Sequence, residues 1–371
     1  MIRGSGRLRG FFRNMDFWMV ALTLAAAVFG IVMISSAGGE NAGRYVVVQS
    51  AALILGCVGI CAFMVLDYEY LARISNYMAA LCLALLLLVL IPGIGTKENG
   101  ARSWFDLGPV SIQPAEFAKI VFIIGFARQL SDNDGQINDI KTLLKLIGYA
   151  LVPIVLILIQ PDFGTAAVFM FMLVIMLFTA GLSIKYIISG AAALAAICPL
   201  AWFFFLQDYQ KNRIINVFNP ENDPSGSGYH VIQSKLAVGS GRIFGSGLYK
   251  GSSQLNNLLP ERHTDFIYSV VCEELGMLGG IIVIILMSAI IIRAIYIGIN
   301  SRNSLGTYMC VGVAAMLLFQ TFENIGMCIG IFPVTGITLP FFSYGGSSLV
   351  TTMLAIGIVI NVKYRCRSIN F

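Results

Sequence analysis

Charged residues are scarce in this chain. Asp, Glu, Lys and Arg together make up 12% of its 371 residues, whereas hydrophobic residues make up 57%. A soluble domain has about 25% charged residues, and a disordered segment has few apolar residues. This composition therefore excludes both classes and predicts a polytopic membrane protein.

Motifs for nucleotide or metal binding are also missing. The sequence contains no GxxxxGK[ST], and its GSGRIFGSG run at 239–247 lacks the preceding strand and the spacing of a dinucleotide fold. The eight cysteines lie in or beside apolar runs, with no CxxC pair and no histidine at metal-ligand spacing. We interpret them as compact core residues.

Ten apolar stretches are candidate membrane spans, since a helical span needs about 20 mostly apolar residues. We therefore predict an all-α polytopic membrane protein with about ten transmembrane helices in a single transmembrane domain, residues 1–371. A cleavable signal peptide is not expected, because the basic start leads into a span longer than a signal sequence. The candidate spans are 17–37, 45–66, 76–93, 114–129, 146–160, 163–181, 184–206, 264–294, 305–331 and 347–362.

The distribution of Lys and Arg predicts the orientation, because short cytoplasmic loops collect basic residues. With the N-terminus inside, the short outer loops hold only Arg44, Lys97 and Arg102. Both termini are then cytoplasmic, and the long 207–263 segment between the seventh and eighth helices is extracytoplasmic. The net charge of +5 follows from this topology and gives no reason to expect nucleic acid. The inner segments hold Arg3, Arg7, Arg9, Arg13, Arg73, Arg128, Lys141, Lys145, Lys185, Arg293, Arg302, Lys363, Arg365 and Arg367.

A cluster of ionisable residues stands where this polar segment runs into an apolar helix. It consists of Glu261, Arg262, His263 and Asp265. Ionisable groups are expensive at a membrane boundary, so their concentration at one helix mouth predicts a functional site open to one aqueous side. The structural alternative for Asp265 is a helix N-cap.

Two further turns place polar residues beside the same predicted surface. Glu116 and Lys119 are spaced for an i, i+3 ion pair, which could serve either helix packing or function. Asp162, in the turn Gln160 to Thr165, is expected to cap the following helix. Gly and Pro break the span at 95–119, leaving Arg102 near the headgroups with Trp104, which is either an aromatic anchor or a site residue.

The long outer segment is too polar to span and too rich in Gly, Ser, Asn and Pro to build a core of its own. We expect amphipathic or re-entrant helices lying on the bundle. Its basic face either contacts solvent and lipid headgroups or attracts an anionic, phosphate-bearing substrate. The basic residues are Lys211, Arg213, Lys235, Arg242 and Lys250.

Several long motifs occur in register along nearly the whole chain. They are NGARSWFDLG with QPAEFAK at 99–119, QPDFGTA at 160–166, NPENDPSGSGYHVIQSKLAVGSG at 219–241, LLPERHTDFI at 258–267 with EELG at 273–276, and PVTGITLPFFSYGGSS at 333–348. Together they resemble the SEDS (shape, elongation, division and sporulation) family. Arg262 precedes His263 where division-type members commonly have Pro, so the chain resembles the elongation-type members most.

This resemblance implies a ten-helix peptidoglycan glycosyltransferase that polymerises lipid II, the undecaprenyl-diphosphate-linked precursor, on the outer face of the bacterial cytoplasmic membrane. It implies a role in cell-wall elongation and cell shape, with a class B penicillin-binding protein as the crosslinking partner. Asp265 matches the family's essential aspartate, and Asp162 its QPD aspartate. Glu116 and Lys119 match the acid and base of QPxExxK.

The chemistry of glycosyl transfer from a lipid diphosphate fits these residue types. Asp265 is the predicted base for the acceptor hydroxyl, and Arg102, Lys119 and Arg213 are predicted to bind the diphosphate. Arg262 and His263 complete the predicted substrate-binding set. A single displacement with inversion needs no second carboxylate. No cofactor is certain, and a divalent cation beside the diphosphate stays open.

Three other hypotheses stay open on the sequence. The chain could be a lipid-linked oligosaccharide flippase or transporter, a division-type or sporulation-type SEDS paralogue, or a catalytically inert scaffold for a transpeptidase. A transporter needs a polar path across the membrane, whereas Glu273, Glu274 and Glu323 are nearly the only charges well inside the predicted spans.

Overall fold

The computed structural model describes residues 16–98, 101–106, 108, 111–204, 208–223, 226–251 and 259–366. Over these ranges the chain forms long helices joined by short turns, together with one small sheet. The elements are α1 Phe17–Ala37, α2 Ala42–Val65, α3 Tyr68–Leu88, β1 Thr96–Glu98, β2 Ala101–Asp106, β3 Ser111–Ile112, α4 Pro114–Asp132, α5 Ile140–Ile159, α6 Phe163–Thr179, α7 Ile184–Phe204, α8 Asp208–Phe218, α9 Ser227–Ser240, α10 Ile267–Ile299, α11 Ser304–Cys328 and α12 Gly346–Cys366.

The helices other than α8 and α9 occupy the ten apolar stretches of the sequence. Eight of these ten helices are long and apolar enough to cross a membrane. The other two are α6, which is shorter, and α4, which carries charged residues. The prediction of a polytopic helical membrane protein is confirmed. The number of crossings and the side of each terminus stay predictions.

The third helix differs most from its predicted bounds, since it begins at Tyr68 rather than at residue 76. Asp67 explains the early start, because its carboxylate accepts a hydrogen bond from the backbone N–H of Glu69 and caps the first turn. The helix ends at Leu88, ahead of the turn that contains Pro92. Hydropathy does not detect this polar first turn.

The centre of the bundle is formed by α11 and α12, whose residues are mostly buried. α11 packs against α10, α6 and α4, while α12 packs along α2. Glycines allow the close approach of α2 and α12: a Cβ placed at Gly56 would lie 2.6 Å from Cγ of Met353, and one at Gly59 would lie 2.7 Å from Cδ2 of Leu354. Small residues therefore set the distance between these two helices.

One end of the bundle carries ion pairs between helix termini. Asp16 before α1 pairs with Arg293 of α10 at 2.7 Å, and Asp67 before α3 pairs with Arg365 of α12 at 2.9 Å. We call this the basic end, because the Lys and Arg assigned to the inner segments lie here. Those before residue 16, and Arg367, lie outside the described residues. The grouping agrees with the orientation predicted from the sequence.

A small antiparallel sheet lies between α3 and α4, with the strand order β1-β2-β3. Lys97 pairs with Arg102, and Phe105 pairs with Ile112. The sequence predicted only an irregular break in this region. Strands of two to six residues are too short to give a clear alternating pattern.

The long segment after α7 contains α8 and α9, as expected for helices lying on the bundle. α9 packs against α10 and α11. Its Ser234 hydroxyl lies 2.6 Å from the hydroxyl of Ser269 and donates to the carbonyl of Cys328 at 2.7 Å. α9 is therefore fixed to both helices that flank the site described below.

α10 is broken at Gly276, which has φ 69° and ψ −166°. The 241–247 turn fills the break: the N–H groups of Ser246 and Gly247 donate to the carbonyls of Glu273 and Glu274 at 3.0 and 2.9 Å. In the reverse direction, the N–H of Met277 donates to Arg242 at 2.8 Å. The backbone groups freed by the break thus find partners inside the bundle, as an apolar surrounding requires.

Candidate functional site

The residues selected from the sequence gather at the end of the bundle opposite the basic end. This site end contains the connections α1–α2, α3–α4, α5–α6, α9–α10 and α11–α12. Two clusters lie there, one around Asp265 and one around Asp162. Both are built from turns that precede a helix.

The turn before α10 wraps around one carbonyl. The oxygen of Glu261, whose φ is 49°, accepts the N–H groups of Thr264, Asp265 and Phe266 at 3.2, 3.1 and 3.3 Å. The helix begins at Ile267, and its cap residue Phe266 makes no side-chain capping bond. The N-cap alternative for Asp265 is therefore not supported, and its carboxylate is left for another role.

Arg262 and His263 hold this turn against neighbouring helices. Nε of Arg262 donates to the carbonyl of Ala37 at the end of α1, at 2.7 Å. The His263 ring stacks on Tyr45 with centroids 4.5 Å apart, and its carbonyl accepts the N–H of Tyr344 at 2.8 Å. Burial, together with the Arg262 charge, lowers the pKa of His263, so this ring is neutral at pH 7. Both side chains thus position the turn.

Asp265 titrates near neutrality. Burial and, to a smaller extent, the charge of Glu261 raise its pKa to about 7, against the opposing effects of Arg213 of α8 and of a hydrogen bond from Thr264. The residue keeps partial solvent access while protein atoms surround its carboxyl group. A carboxylate with this pKa is suited to take a proton at neutral pH.

The wall facing Asp265 comes from α11 and the 333–339 segment. Nδ2 of Asn324 donates to the Asp265 carbonyl at 2.8 Å and to the Ile337 carbonyl at 2.7 Å. A Cβ placed at Gly336 would lie 3.5 Å from Oδ2 of Asp265. The hydroxyl of Thr335 donates a short hydrogen bond to Oε1 of Glu323.

The second cluster surrounds Asp162. Its Oδ1 accepts the N–H of Thr165 at 3.0 Å, which confirms the predicted helix cap, and its Oδ2 accepts Nε2 of Gln113 at 3.0 Å. Burial raises the pKa of this carboxyl, while the Thr165 hydrogen bonds and the charge of Lys119 oppose the shift. Asp162 is thus a cap that also lies within electrostatic range of Lys119.

Glu116 and Lys119 form the predicted i, i+3 ion pair at 2.7 Å. Lys119 is 1% exposed and Glu116 is 7% exposed, so the pair is buried inside the helix bundle. Oε2 of Glu116 is buried without a hydrogen-bond partner among the described residues. An ion pair in such a position is costly to desolvate and is weak evidence for a purely stabilising role.

The two clusters meet at Gly164. A Cβ placed there would lie 3.1 Å from Cβ of Thr335 and 2.9 Å from Cγ1 of Ile337. The start of α6, which Asp162 caps, therefore packs directly on the segment that faces Asp265.

The three predicted diphosphate ligands do not form a single cluster. Arg213 acts on Asp265 and Lys119 acts on Asp162. Nη1 of Arg102 instead donates to the carbonyl of Leu90 at 3.3 Å, after the end of α3, and its buried Nε has no partner among the described residues. Arg102 is thus placed at the sheet, as a cap for the preceding turn.

The described part of the chain includes no group of three His, Cys, Asp or Glu side chains that could hold a metal ion. The divalent cation that the sequence leaves open beside the diphosphate stays a prediction.

Several site residues were missed by the sequence analysis: Tyr45, Glu323, Asn324, Thr335 and Tyr344. Two signals could have identified them. Glu323 and Asn324 are polar residues in the apolar run that became α11, and Thr335 and Tyr344 lie in the quoted 333–348 motif. Tyr45 carries no sequence signal, because its role depends on the tertiary contact with His263.

The fold and site define a polytopic helical membrane protein with a carboxylate of near-neutral pKa and a buried lysine at one end. The model of the FtsW, RodA and SpoVE family, described as "Cell cycle protein", matches residues 16–368. The chain belongs to this family, which is the SEDS family suggested by its motifs.

Curated relatives cover nearly the full length of the chain. Stage V sporulation protein E of Bacillus subtilis (strain 168) is 36% identical over 357 residues, covering 94% of this chain and 96% of the relative. Peptidoglycan glycosyltransferase MrdB of Escherichia coli (strain K12) is 36% identical over 354 residues, covering 94% and 93%. Probable peptidoglycan glycosyltransferase FtsW of Trichlorobacter lovleyi is 36% identical over 368 residues, covering 96% and 95%. The equal identities do not separate the three types.

Solved structures share the fold. The crystal structure of Thermus thermophilus rod shape determining protein RodA matches with a TM-score of 0.71 and 29% identity, over 96% of this chain and 98% of that one. A chain from a study of the structural coordination of polymerization and crosslinking by a peptidoglycan synthase complex matches with a TM-score of 0.83 and 31% identity, over 95% and 99%.

Proposed function

We propose that this protein polymerises lipid II into glycan strands, with Asp265 as the base that activates the acceptor sugar. The observation that carries this proposal is the Asp265 carboxyl itself. It caps no helix, it has a pKa of about 7, and it lies within electrostatic range of Arg213. A carboxylate without a structural role, poised to accept a proton, is the main requirement of glycosyl transfer.

Membership of the SEDS family supports the enzyme class. MrdB and FtsW relatives at 36% identity are named peptidoglycan glycosyltransferases, so the prediction of this class is confirmed. The particular substrate and mechanism belong to the proposal. In this proposal the donor is a lipid-linked diphosphate sugar, so the site must remove a proton from the acceptor and stabilise the leaving diphosphate.

The reaction is a single displacement with inversion. The O–H bond of the acceptor sugar breaks, and its proton passes to the Asp265 carboxylate. The freed oxygen forms a bond to the anomeric carbon of the donor, while the bond from that carbon to the diphosphate breaks and the electron pair leaves with the diphosphate. Positioned proton transfer of this kind contributes on the order of 10² to 10⁴ in rate.

The leaving diphosphate needs positive charge. Arg213 lies on the Asp265 side of the site and Lys119 on the Asp162 side. Guanidinium and ammonium groups stabilise the charge that develops on phosphate oxygens. We assign the diphosphate to the space between these two cations. Arg102 instead supports the turn after α3.

In this proposal the reaction takes place outside the cell. Lys and Arg concentrate at the basic end, which supports a cytoplasmic position for that end and an extracytoplasmic position for the site end. A lipid-linked substrate in the outer leaflet would then reach Asp265 from the membrane. The residue Arg262 before His263 supports the elongation role, in cell shape, over the division and sporulation roles.

The partner in this proposal is a class B penicillin-binding protein, which crosslinks the new strands. The support is the similarity to a chain of a peptidoglycan synthase complex in which polymerization and crosslinking are coordinated. The experiment that tests the function uses the purified protein, with and without such a transpeptidase, and lipid II as the sole donor. Glycan strands on a gel are the expected product, and lipid II that is translocated but not polymerised would favour the transporter alternative.

A further inference from the structure

We propose that Glu323 is a second functional carboxyl of this site, a carboxylic acid that keeps its proton and donates a hydrogen bond to a substrate oxygen beside Asp265. The inference rests on the proposed function and deepens it. The oxygen concerned is one that gains negative charge during the displacement, on either the acceptor sugar or the leaving diphosphate.

The first observation is an unpaired polar atom in the core. Glu323 is 6% exposed and lies in the last two turns of the apolar helix α11, towards the site end. Its Oε1 accepts the hydroxyl of Thr335, whereas its Oε2 is buried without a hydrogen-bond partner among the described residues. A buried polar atom without a partner is destabilising. The hydrogen bond between Thr335 and Oε1 could by itself hold the 333–339 segment against α11, and it leaves Oε2 without a structural function.

The second observation concerns the charge. Within the described part of the chain, Glu323 forms no ion pair with a Lys, Arg or His. A buried carboxylate without a cation is strongly disfavoured, so the group is stable as the neutral acid. Because Oε1 accepts from Thr335, the proton resides on Oε2. The unpaired atom is then a donor, and it can bind an oxygen that becomes negative.

The third observation is the position next to Asp265. Asn324, the following residue, donates to the Asp265 carbonyl, and Gly336, which follows Thr335, faces Oδ2 of Asp265. The charge of Asp265 also acts on Glu323. Other ionisable groups at the site end of elements packed against α11 are Glu116 and Lys119 on α4, Tyr229, His230 and Lys235 on α9, and Tyr268, Cys272, Glu273 and Glu274 on α10.

A neutral donor has an advantage here over a second carboxylate. The site must bind a diphosphate that Asp265 already repels, and another negative charge would add to that repulsion. A protonated Glu323 adds a hydrogen bond without adding charge. It undergoes no net proton transfer: the acceptor proton goes to Asp265, and the Glu323 proton stays on Oε2 while its hydrogen bond strengthens.

The test compares the pH dependence of strand synthesis in the wild type, Glu323→Gln and Glu323→Met. Wild-type activity should rise as Asp265 ionises and fall at alkaline pH, when Glu323 loses its proton. Glu323→Gln keeps an N–H donor but cannot ionise, so it should be several-fold slower and lose the alkaline fall. Glu323→Met removes the donor and should be slower by on the order of 10², the typical cost of losing one donor to a developing oxyanion. The acid limb should stay in place in both variants.

Two controls separate this role from packing. Thr351 on α12 is also buried with an unpaired hydroxyl, and Thr351→Val should leave strand synthesis unchanged. Thr335→Val removes only the hydrogen bond to Oε1 and should cost less than Glu323→Met. An alkaline fall that persists in Glu323→Gln, or an acid limb that moves to lower pH in that variant, overturns the inference. Equal losses in Thr335→Val and Glu323→Met also overturn it, because they indicate a packing role.

Strand synthesis by the wild type and by Asp265→Asn distinguishes a failure of the proposed function from a failure of the Glu323 inference. If wild-type protein makes no strands from lipid II while Asp265 variants behave identically to it, the proposed function fails. If the wild type makes strands and Asp265→Asn does not, any departure from the results expected above counts against Glu323 alone. Should Glu323→Met fail to fold, the pH profile of Glu323→Gln decides the question.

Discussion

The side-chain amide of Asn324 donates to the backbone carbonyl of Asp265 at 2.8 Å and to that of Ile337 at 2.7 Å. One buried group on α11 therefore ties the turn that carries the proposed base to the segment that faces it. The bond to Ile337 is buried and the bond to Asp265 is partly buried, and the Asp265 carbonyl also accepts a weak hydrogen bond from the thiol of Cys328 at 3.8 Å. The position of the Asp265 backbone is set from the middle of the bundle as well as from its own turn.

Asn324→Leu should reduce strand synthesis by on the order of 10², because a displacement of about 1 Å at a reacting group has this effect. It should also lower the thermal stability in detergent, since the buried Ile337 carbonyl loses its donor and the Asp265 carbonyl keeps only the weak thiol donor of Cys328. Asn361 is the matched control: it donates to the carbonyls of Phe63 and Leu66 near the basic end. Asn361→Leu should lower stability to a similar degree while leaving the activity of each folded molecule intact, and equal losses of activity would contradict the role of Asn324.

The pH dependence of strand synthesis should follow the ionisation of Asp265. The base form is the carboxylate, and the pKa is raised to about 7, so the rate should increase with pH around a midpoint near 7. The negative charge of Glu261 contributes to that raised pKa, so Glu261→Gln should move the midpoint to lower pH. Arg213 opposes the shift, so Arg213→Gln should move the midpoint to higher pH, besides weakening diphosphate binding. Initial rates measured between about pH 5 and pH 9 give the midpoint for each variant. A midpoint that moves in the opposite direction in either variant counts against Asp265 as the titrating group.

The buried pair of Glu116 and Lys119 can be tested for packing against function by removing both charges. Lys119→Met alone leaves Glu116 buried without its cation and should destabilise the protein by about 3 to 5 kcal/mol. The double variant Glu116→Gln with Lys119→Met removes that penalty and should recover stability. If Lys119 binds the diphosphate, strand synthesis stays low in the double variant. Recovery of both stability and activity would show that the pair serves only packing.

The orientation can be tested with single cysteines in a background without other cysteines. Asn219 lies in the segment between α8 and α9, and Asn300 lies at the end of α10, towards the basic end; both are exposed. Asn219→Cys should react with a membrane-impermeant maleimide in intact cells, whereas Asn300→Cys should react only after the cells are opened. The reverse pattern would place the site end in the cytoplasm and exclude the proposed substrate route.

Most of the helical part of the fold could be predicted from the sequence, because eight of the helices are long and apolar, whereas α6 is shorter and α4 carries charges. The sheet at 96–112 could not, since its strands are short and its pairing depends on a turn between two helices. The break at Gly276 was also hidden: the EELG motif continues an apolar helical pattern, and only the inserted 241–247 turn makes the interruption stable.

The site was predictable to a similar extent. Asp265, Asp162, Glu116 and Lys119 were found because charges stand out in an apolar chain, and the ion pair and helix cap followed from their local spacing. Contacts between distant segments, such as His263 on Tyr45, leave no local pattern. The placement of Arg102 at the turn after α3 depended on the sheet and was missed with it.

The central claim is that Asp265 is the base, and Asp265→Asn tests it most directly. Asn keeps the size of the side chain, and the turn that holds residue 265 is formed by the Glu261 carbonyl and by Asn324 with backbone groups, so the variant should fold and reach the membrane. It cannot accept the acceptor proton, and strand synthesis from lipid II should fall by at least about 10². A well-folded Asp265→Asn protein that makes strands at the wild-type rate would contradict the account.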